Sequence, residues 1–319
     1  MARIDIFNGD ADGLCALVQL RLHNPCSSRL VTGVKRDIAL VGQANIAAGD
    51  DVVVLDISFD KNRDAVVDAL SLGAKVFYVD HHFAGDVPAT PGLQTLINPA
   101  PDTCTSLLIN GHLQGQFAEW AIVGAFGDNL NDSARRVAAT TALSADAIDR
   151  LANLGVYLNY NGYGSTLEDL HFPPAVLFEK LRRFASPLDF MAEDSDTFSQ
   201  LESAYHQDMA SASALQPIAS TCVMAVYCLP NEKWARRVSG VYSNDLANAH
   251  PDRAHAVLTQ KDSGNYLVSI RAPLNNKVGA DEVVRQFATG GGRQAAAGIN
   301  DLPEQDLPRL IEALTARYQ

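Results

Sequence analysis

The sequence predicts an α/β protein in two parts, an N-terminal domain built on a parallel sheet and a smaller, mixed α+β C-terminal domain, joined by a helical linker. Three observations predict it. Over the first half, short β-branched runs alternate with helical patterns, the rhythm of βαβ units. The length of 319 residues exceeds an ordinary domain of about 100–200 residues. From about residue 215 onward, strands and helices follow one another in a different, irregular order.

Taken in order, residues 3–7 read as a strand and 13–22 as a helix. Strand patterns follow at 30–34 and 51–57, a helix at 62–72, and strands at 75–79 and 95–97. Helices are expected at 105–113, 117–124, 133–141 and 145–158, and Pro173-Pro174 opens another, with proline at its first turn. The acidic, interrupted stretch 186–199 precedes a helical pattern at 200–215. Domains are therefore placed at 1–190 and 215–319, with a linker helix over 191–214. In the second domain, strands are expected at 222–229, 255–259 and 266–271, and helices at 245–249, 280–287 and 307–318. The sequence has no internal repeat and no low-complexity segment.

Hydrophobic residues at 47% and charged residues at 19% describe a globular chain outside the regime of disorder. A net charge of -12 argues against a protein that coats long duplex nucleic acid, since phosphate neutralisation needs a basic face. The five cysteines form no CxxC pair, and their odd number points to reduced thiols, read here as small buried hydrophobes. No basic and apolar leader pattern opens the chain and no apolar run approaches 18 residues, so the expected setting is cytoplasmic, without a membrane partner.

In parallel sheets the ligand crevice lies beyond the carboxyl ends of the strands. Those positions are acidic here. Asp10 and Asp12 stand two apart in FNGDADG, Asp56 ends VVVLD, Asp80 ends FYVD before His81 and His82, and Asp128 follows a helical pattern in GAFGDN. Singly, each aspartate is a helix cap or a turn residue. Together they form a repulsive cluster that requires cations. Carboxylates with one or two imidazoles suit a hard-to-borderline divalent ion, and a pair of such ions would clamp a phosphoryl transfer.

With these motifs in this order, the chain resembles the DHH family of phosphoesterases, named for the triplet seen here as Asp80-His81-His82. The C-terminal stretch VSIRAPLNNKVGADEVVRQFATGGGRQAAAG resembles the DHH-associated domain, whose motif is GGGHxxAAG. The resemblance covers nearly the whole chain and implies an active site in the cleft between the domains. It implies two divalent ions, manganese in preference to magnesium or cobalt. Asp56 would bridge them, Asp10 would bind the first, and Asp12, His81 and Asp128 the second. His82 would face the scissile phosphate, Asp80 would orient a ligating imidazole, and a water shared by both ions would be the nucleophile. Arg271, Gly290, Gly291, Gly292 and Arg293 would bind substrate.

Two departures stand out. Many relatives carry a histidine where Ile6 stands, leaving Asn8 as a weaker ligand for the first ion. Arg293 replaces the motif histidine and offers a planar fork for phosphate instead. The compact acidic chain favours short linear oligonucleotides over long ones. The expected reaction is hydrolysis of dinucleotides such as pGpG, the last step of c-di-GMP degradation, as in nanoRNases. A 3′-phosphoadenosine 5′-phosphate phosphatase, a single-strand exonuclease and a weakened nucleotide-binding regulator are the alternatives. The oligonucleotide is the expected partner, and a homodimer is allowed.

Overall fold

The computed structural model describes residues 2–319 and divides into two compact units, one up to Glu202 and one from Ser203. In the first unit, β1 (Arg3–Phe7) leads into α1 (Ala11–His23), β2 (Arg29–Val31), β3 (Asp51–Leu55), α2 (Phe59–Ser71), β4 (Lys75–Asp80) and β5 (Leu93–Ile97). Six helices follow: α3 (Thr105–His112), α4 (Ala118–Gly127), α5 (Asn131–Ala138), α6 (Ala145–Gly162), α7 (Pro174–Leu181) and α8 (Pro187–Glu193). The sheet order is β2-β1-β3-β4-β5, and every pairing is parallel.

Register explains how both faces are covered. Ile4 lies beside Val52, which lies beside Val76, and Ile6, Val54 and Tyr78 form the next such row. These six side chains share one face because a strand repeats every two residues. They pack with Phe59, Val66 and Ala69 of α2 into one buried cluster. The alternate residues meet the other helical layer: Asp5 is ion-paired with Arg21 of α1, and the ring of Phe7 lies 5.9 Å from that of Phe178 in α7. A parallel sheet covered on both faces reads as continuous apolar runs, which is why these strands were visible in the sequence.

The helix α9 (Ser195–Ser213) spans the division between the units. The second unit contains β6 (Ala219–Ser220), β7 (Met224–Leu229), α10 (Lys233–Ala249), β8 (Ala254–Gln260), β9 (Tyr266–Arg271), α11 (Ala280–Val284), β10 (Gly290–Gly292), β11 (Ala296–Leu302) and α12 (Leu307–Tyr318). Its sheet has the order β10-β11-β9-β8-β7-β6, with only β7 and β8 parallel. Val226, Leu258, Val268 and Ile299 of four strands pack with Val283 of α11 and Leu310 and Leu314 of α12.

Three local expectations differ from the structure. The helix expected over 245–249 begins at Lys233 and runs 17 residues; its middle, VSGVYSN, is rich in weak helix formers, and burial of Val238, Val241 and Tyr242 carries it. The interrupted stretch 186–199 contains α8 and the start of α9. The strands β10 and β11 are additional to the expected elements, because their Gly- and Ala-rich sequence has little β-propensity and is ordered by cross-strand pairing. All five cysteines are free; Cys15 and Cys104 are buried, but Cys222 is exposed. Among the described residues, no helix is long and apolar enough to cross a membrane.

Candidate active site

Strands β1, β3 and β4 are neighbours in the sheet, so their carboxyl ends lie side by side. Asn8 follows β1, Asp56 follows β3, and Asp80 closes β4 before His81 and His82. The fold thus brings together at one edge groups that are far apart in sequence. Asp10 and Asp12 enter from the start of α1, and Asp128 enters as the C-terminal cap of α4.

Each carboxylate is held differently. Asp10 is the N-cap of α1, and its Oδ1 accepts hydrogen bonds from the N–H groups of Asp12 and Gly13 at 3.0 and 3.1 Å. Asp12 accepts 2.7 Å bonds from the N–H groups of Thr105 and Ser106, capping α3 from 93 residues away. Asp56 sits at φ 60°, in the left-handed region that Asp tolerates better than most residues, at a strain cost of roughly 1 kcal/mol or more. The Thr105 hydroxyl donates to Asp56 Oδ1 at 3.2 Å.

His81 completes the group. Its Nδ1 lies 3.1 Å from the Thr103 carbonyl, to which an Nδ1–H donates, leaving Nε2 to face three carboxylates. Nε2 stands 3.4 Å from Asp56 Oδ1, 3.8 Å from Asp128 Oδ2 and 3.9 Å from Asp12 Oδ2. Two sets of potential ligand atoms converge within 4.8 Å of one another: Asp12, His81 and Asp128, and Asp56, His81 and His82. The donor chemistry and the imidazole held by a carbonyl fit a divalent ion.

The acceptor that orients His81 is therefore Thr103, whereas Asp80 serves the other imidazole. Asp80 is fully buried, and its Oδ1 lies 2.7 Å from His82 Nδ1. The His82 side chain is 40% exposed, enough to reach a ligand, and its ring centroid lies 4.4 Å from that of His81.

The electrostatics match this crowding. Burial, followed by the charges of Asp12, Asp10, Asp128 and Asp80, pushes the Asp56 carboxyl well above its ordinary range. Burial also raises Asp128, against the opposing pull of His81 and Lys35. For Asp10, burial acts upward, but the charge and hydrogen bond of Lys35 outweigh it and the carboxyl ends below its usual range.

Lys35, in the loop after β2, was overlooked in the sequence, where only carboxylates and imidazoles at strand ends drew notice. Its Nζ is ion-paired with Asp10 Oδ2 and donates to Asn159 Oδ1 at 3.0 Å. The strand-end rule that found Asp56 would also have flagged Lys35, which stands four residues beyond β2. Asn8 is engaged at both ends of its amide: Oδ1 accepts from Asp10 N–H at 3.2 Å, and Nδ2 donates to the Lys35 carbonyl at 3.1 Å. Ile6 is fully buried in the core beneath α2.

In the second unit, Arg271 ends β9, where its Nε donates to Asn244 Oδ1 at 2.7 Å and its guanidinium also reaches the Ser269 hydroxyl. Gly290, Gly291 and Gly292 form β10 at the sheet edge, followed by the exposed Arg293. A Cβ on Gly290 would come 1.8 Å from the Val284 carbonyl oxygen, so glycine is needed there for packing alone.

Residues 219–319 match the family model of the DHHA1 domain. Among solved structures the chain is similar to the manganese-bound exonuclease RecJ, at 17% identity over 99% of this chain and 89% of that one, with a TM-score of 0.63. The C-terminal unit carries a DHHA1 domain. The whole chain is also similar to a DHH domain described as belonging to a member of a family of ribosomal proteins, at 12% identity over 99% and 86% of the two chains, with a TM-score of 0.69. A third likeness is to PggH, a pGpG-specific phosphodiesterase from Vibrio cholerae, at 14% identity over 99% and 98%, with a TM-score of 0.60. At these identities the likeness is one of fold. No curated protein matches the sequence. The α/β architecture expected of a DHH–DHHA1 chain, a parallel sheet followed by a mixed one, is borne out.

Proposed function

We propose that this chain is a metal-dependent phosphodiesterase that hydrolyses short linear oligonucleotides, dinucleotides such as pGpG above all, to mononucleotides. The observation that carries the reading is His81, tied back through Nδ1 so that Nε2 faces Asp12, Asp56 and Asp128. Those four residues would hold a divalent ion, for which manganese is the first choice because the similar RecJ structure contains it. Such an ion would neutralise phosphate charge and acidify water. A second ion, expected between Asp10 and Asp56, would have to share Asp10 with Lys35.

The protein groups supply the rest. Asp80 holds His82 through its Nδ1–H, so that in the doubly protonated ring Nε2–H is the group that would donate a hydrogen bond or proton toward the leaving oxygen. Asp12 and Asp56 are positioned by the start of α3, which holds both carboxylates rigid. Phe83, next to His82, is 74% exposed and offers a ring on which a nucleobase could stack. Arg293 and Arg271 are assigned to substrate phosphate together with Gly290, Gly291 and Gly292, of which Gly290 gives its N–H to the Phe287 carbonyl. A dinucleotide substrate is further supported by the likeness to PggH along nearly the full length of both chains.

The test is a substrate panel with Mn²⁺: pGpG, a longer single-stranded RNA, single-stranded DNA and 3′-phosphoadenosine 5′-phosphate, followed by release of mononucleotide or phosphate. Fastest turnover of pGpG is expected. Faster loss of phosphate from the bisphosphate nucleotide would replace the reading, and tight binding without turnover would make the chain a nucleotide-binding regulator.

A further inference from the structure

The two ends of the acidic cluster are not alike. Around His81, three carboxylates point at one nitrogen. Around Asp10, no set of three ligating histidine, cysteine or carboxylate groups converges among the described residues. Its Oδ1 is taken by two backbone N–H groups, and its Oδ2 by the Lys35 ammonium.

Lys35 is not a surface arm that happens to reach inward. Its backbone N–H donates to the Gly162 carbonyl at 2.8 Å, and its own carbonyl accepts from Asn8 Nδ2. Its ammonium is held from three directions: by Asp10, by Asn159 Oδ1 at 3.0 Å, and by the Tyr163 ring, 5.4 Å away at its centroid. The end of α6 that supplies Asn159 and Gly162 can approach only because Gly162 lacks a side chain; a Cβ there would lie 2.9 Å from Asp10 Cα. Two segments of the unit, residues 8–10 and 159–163, thus converge on one cation.

We propose that Lys35 is a resident, protein-supplied cation that fills the position beside Asp10, so that the chain binds a single divalent ion, at Asp12, Asp56, His81 and Asp128. The assignment rests on the metal-dependent reading above. It follows from the charge count: an ammonium in contact with Asp10 removes the negative charge that would draw a further ion and repels any ion placed next to it. It also gives Asn8 a purpose, which is to brace the lysine and the aspartate together and not to ligate metal. In catalysis Lys35 would act as a positioning residue that keeps one fixed positive charge at the Asp10 end of the site.

The test is Mn²⁺ stoichiometry, measured on the full chain by calorimetric titration and by electron paramagnetic resonance, which separates an isolated Mn²⁺ from a spin-coupled pair. One Mn²⁺ per wild-type chain is expected, with an uncoupled spectrum. Lys35→Met should raise the count to two and produce the coupled spectrum, whereas Lys35→Arg should leave it at one. Two ions in the wild type, or a count unchanged by Lys35→Met, would overturn the proposal. If Lys35→Met does not fold, Lys35→Gln, which keeps a donor toward Asp10 but no charge, gives the same comparison. No Mn²⁺ binding at all would instead defeat the metal-dependent reading, and this assignment with it; failure of the substrate panel with one bound Mn²⁺ would leave this assignment standing.

Discussion

The two units bury ionisable groups in different ways. In the first unit, Asp10, Asp12, Asp56 and Asp80 are all at most 3% exposed within one cluster, and the fold itself supplies them with one ammonium. In the second, His255 is fully buried in β8, and burial, with the nearby charges of Arg253 and His250, lowers its pKa to about 4. An imidazole can avoid the cost of burial by giving up its proton, but clustered carboxylates must take up protons or cations. The first arrangement therefore asks for a ligand, and the second does not.

The largest effect that would break this contrast is chemical. On the proposed reading, Asp56→Asn should lower turnover of the dinucleotide by at least about a thousandfold, since a metal ligand would supply several kcal/mol of transition-state stabilisation. The same substitution should raise the melting temperature of the metal-free protein, because it removes one of several mutually repelling carboxylates. A fall in that melting temperature would mean that the cluster is not under electrostatic strain.

Next comes pH, where the units should respond in opposite directions. His255 has a folded pKa below its unfolded value, so its stabilising contribution is present above about pH 6.5 and is lost as pH falls toward 4. The loss is on the order of 3 kcal/mol, and His255→Leu should abolish it, as read by denaturant unfolding at pH 7 and pH 4.5. Asp56 has a raised folded pKa, so its contribution is present at low pH and is lost as pH rises through that value. Hydrogen exchange of the metal-free chain should therefore show the first unit loosening toward neutral pH while the second loosens toward acid, and Mn²⁺ should suppress only the former.

A smaller effect probes the packing that holds Lys35 in place. Gly162→Ala should destabilise the fold by about 1–3 kcal/mol in urea titration, because the new methyl group meets the backbone of Asp10. Arg293→Ala should have the smallest effect, raising KM for the dinucleotide roughly tenfold or less with little change in kcat; an unchanged KM would remove Arg293 from the binding surface.

Much of the first unit was legible because its strands are buried on both faces and because parallel strands end on one side of the sheet. Asp56 and the Asp80-His81-His82 run could be singled out from that rule alone. The partner of Asp80 is also written in the sequence, although the reading that assigns it to a metal-binding imidazole misses it. Extended backbone alternates sides, which favours His82, two residues on, over the adjacent His81. Lys35 was harder to place, since its contacts lie 25 and 124 residues away and depend on where β2 and α6 end up. The helix α10 and the strands β10 and β11 escaped because packing, not local preference, specifies them.

Asp12 spends both carboxylate oxygens on the first turn of α3 while facing His81. A mutation there would remove a helix cap and the proposed ligand at once, so on this reading the chemistry at this position is tied to the scaffold. Drift toward an inactive paralogue would have to start where a side chain can change without unseating a helix, as at the partly exposed His82.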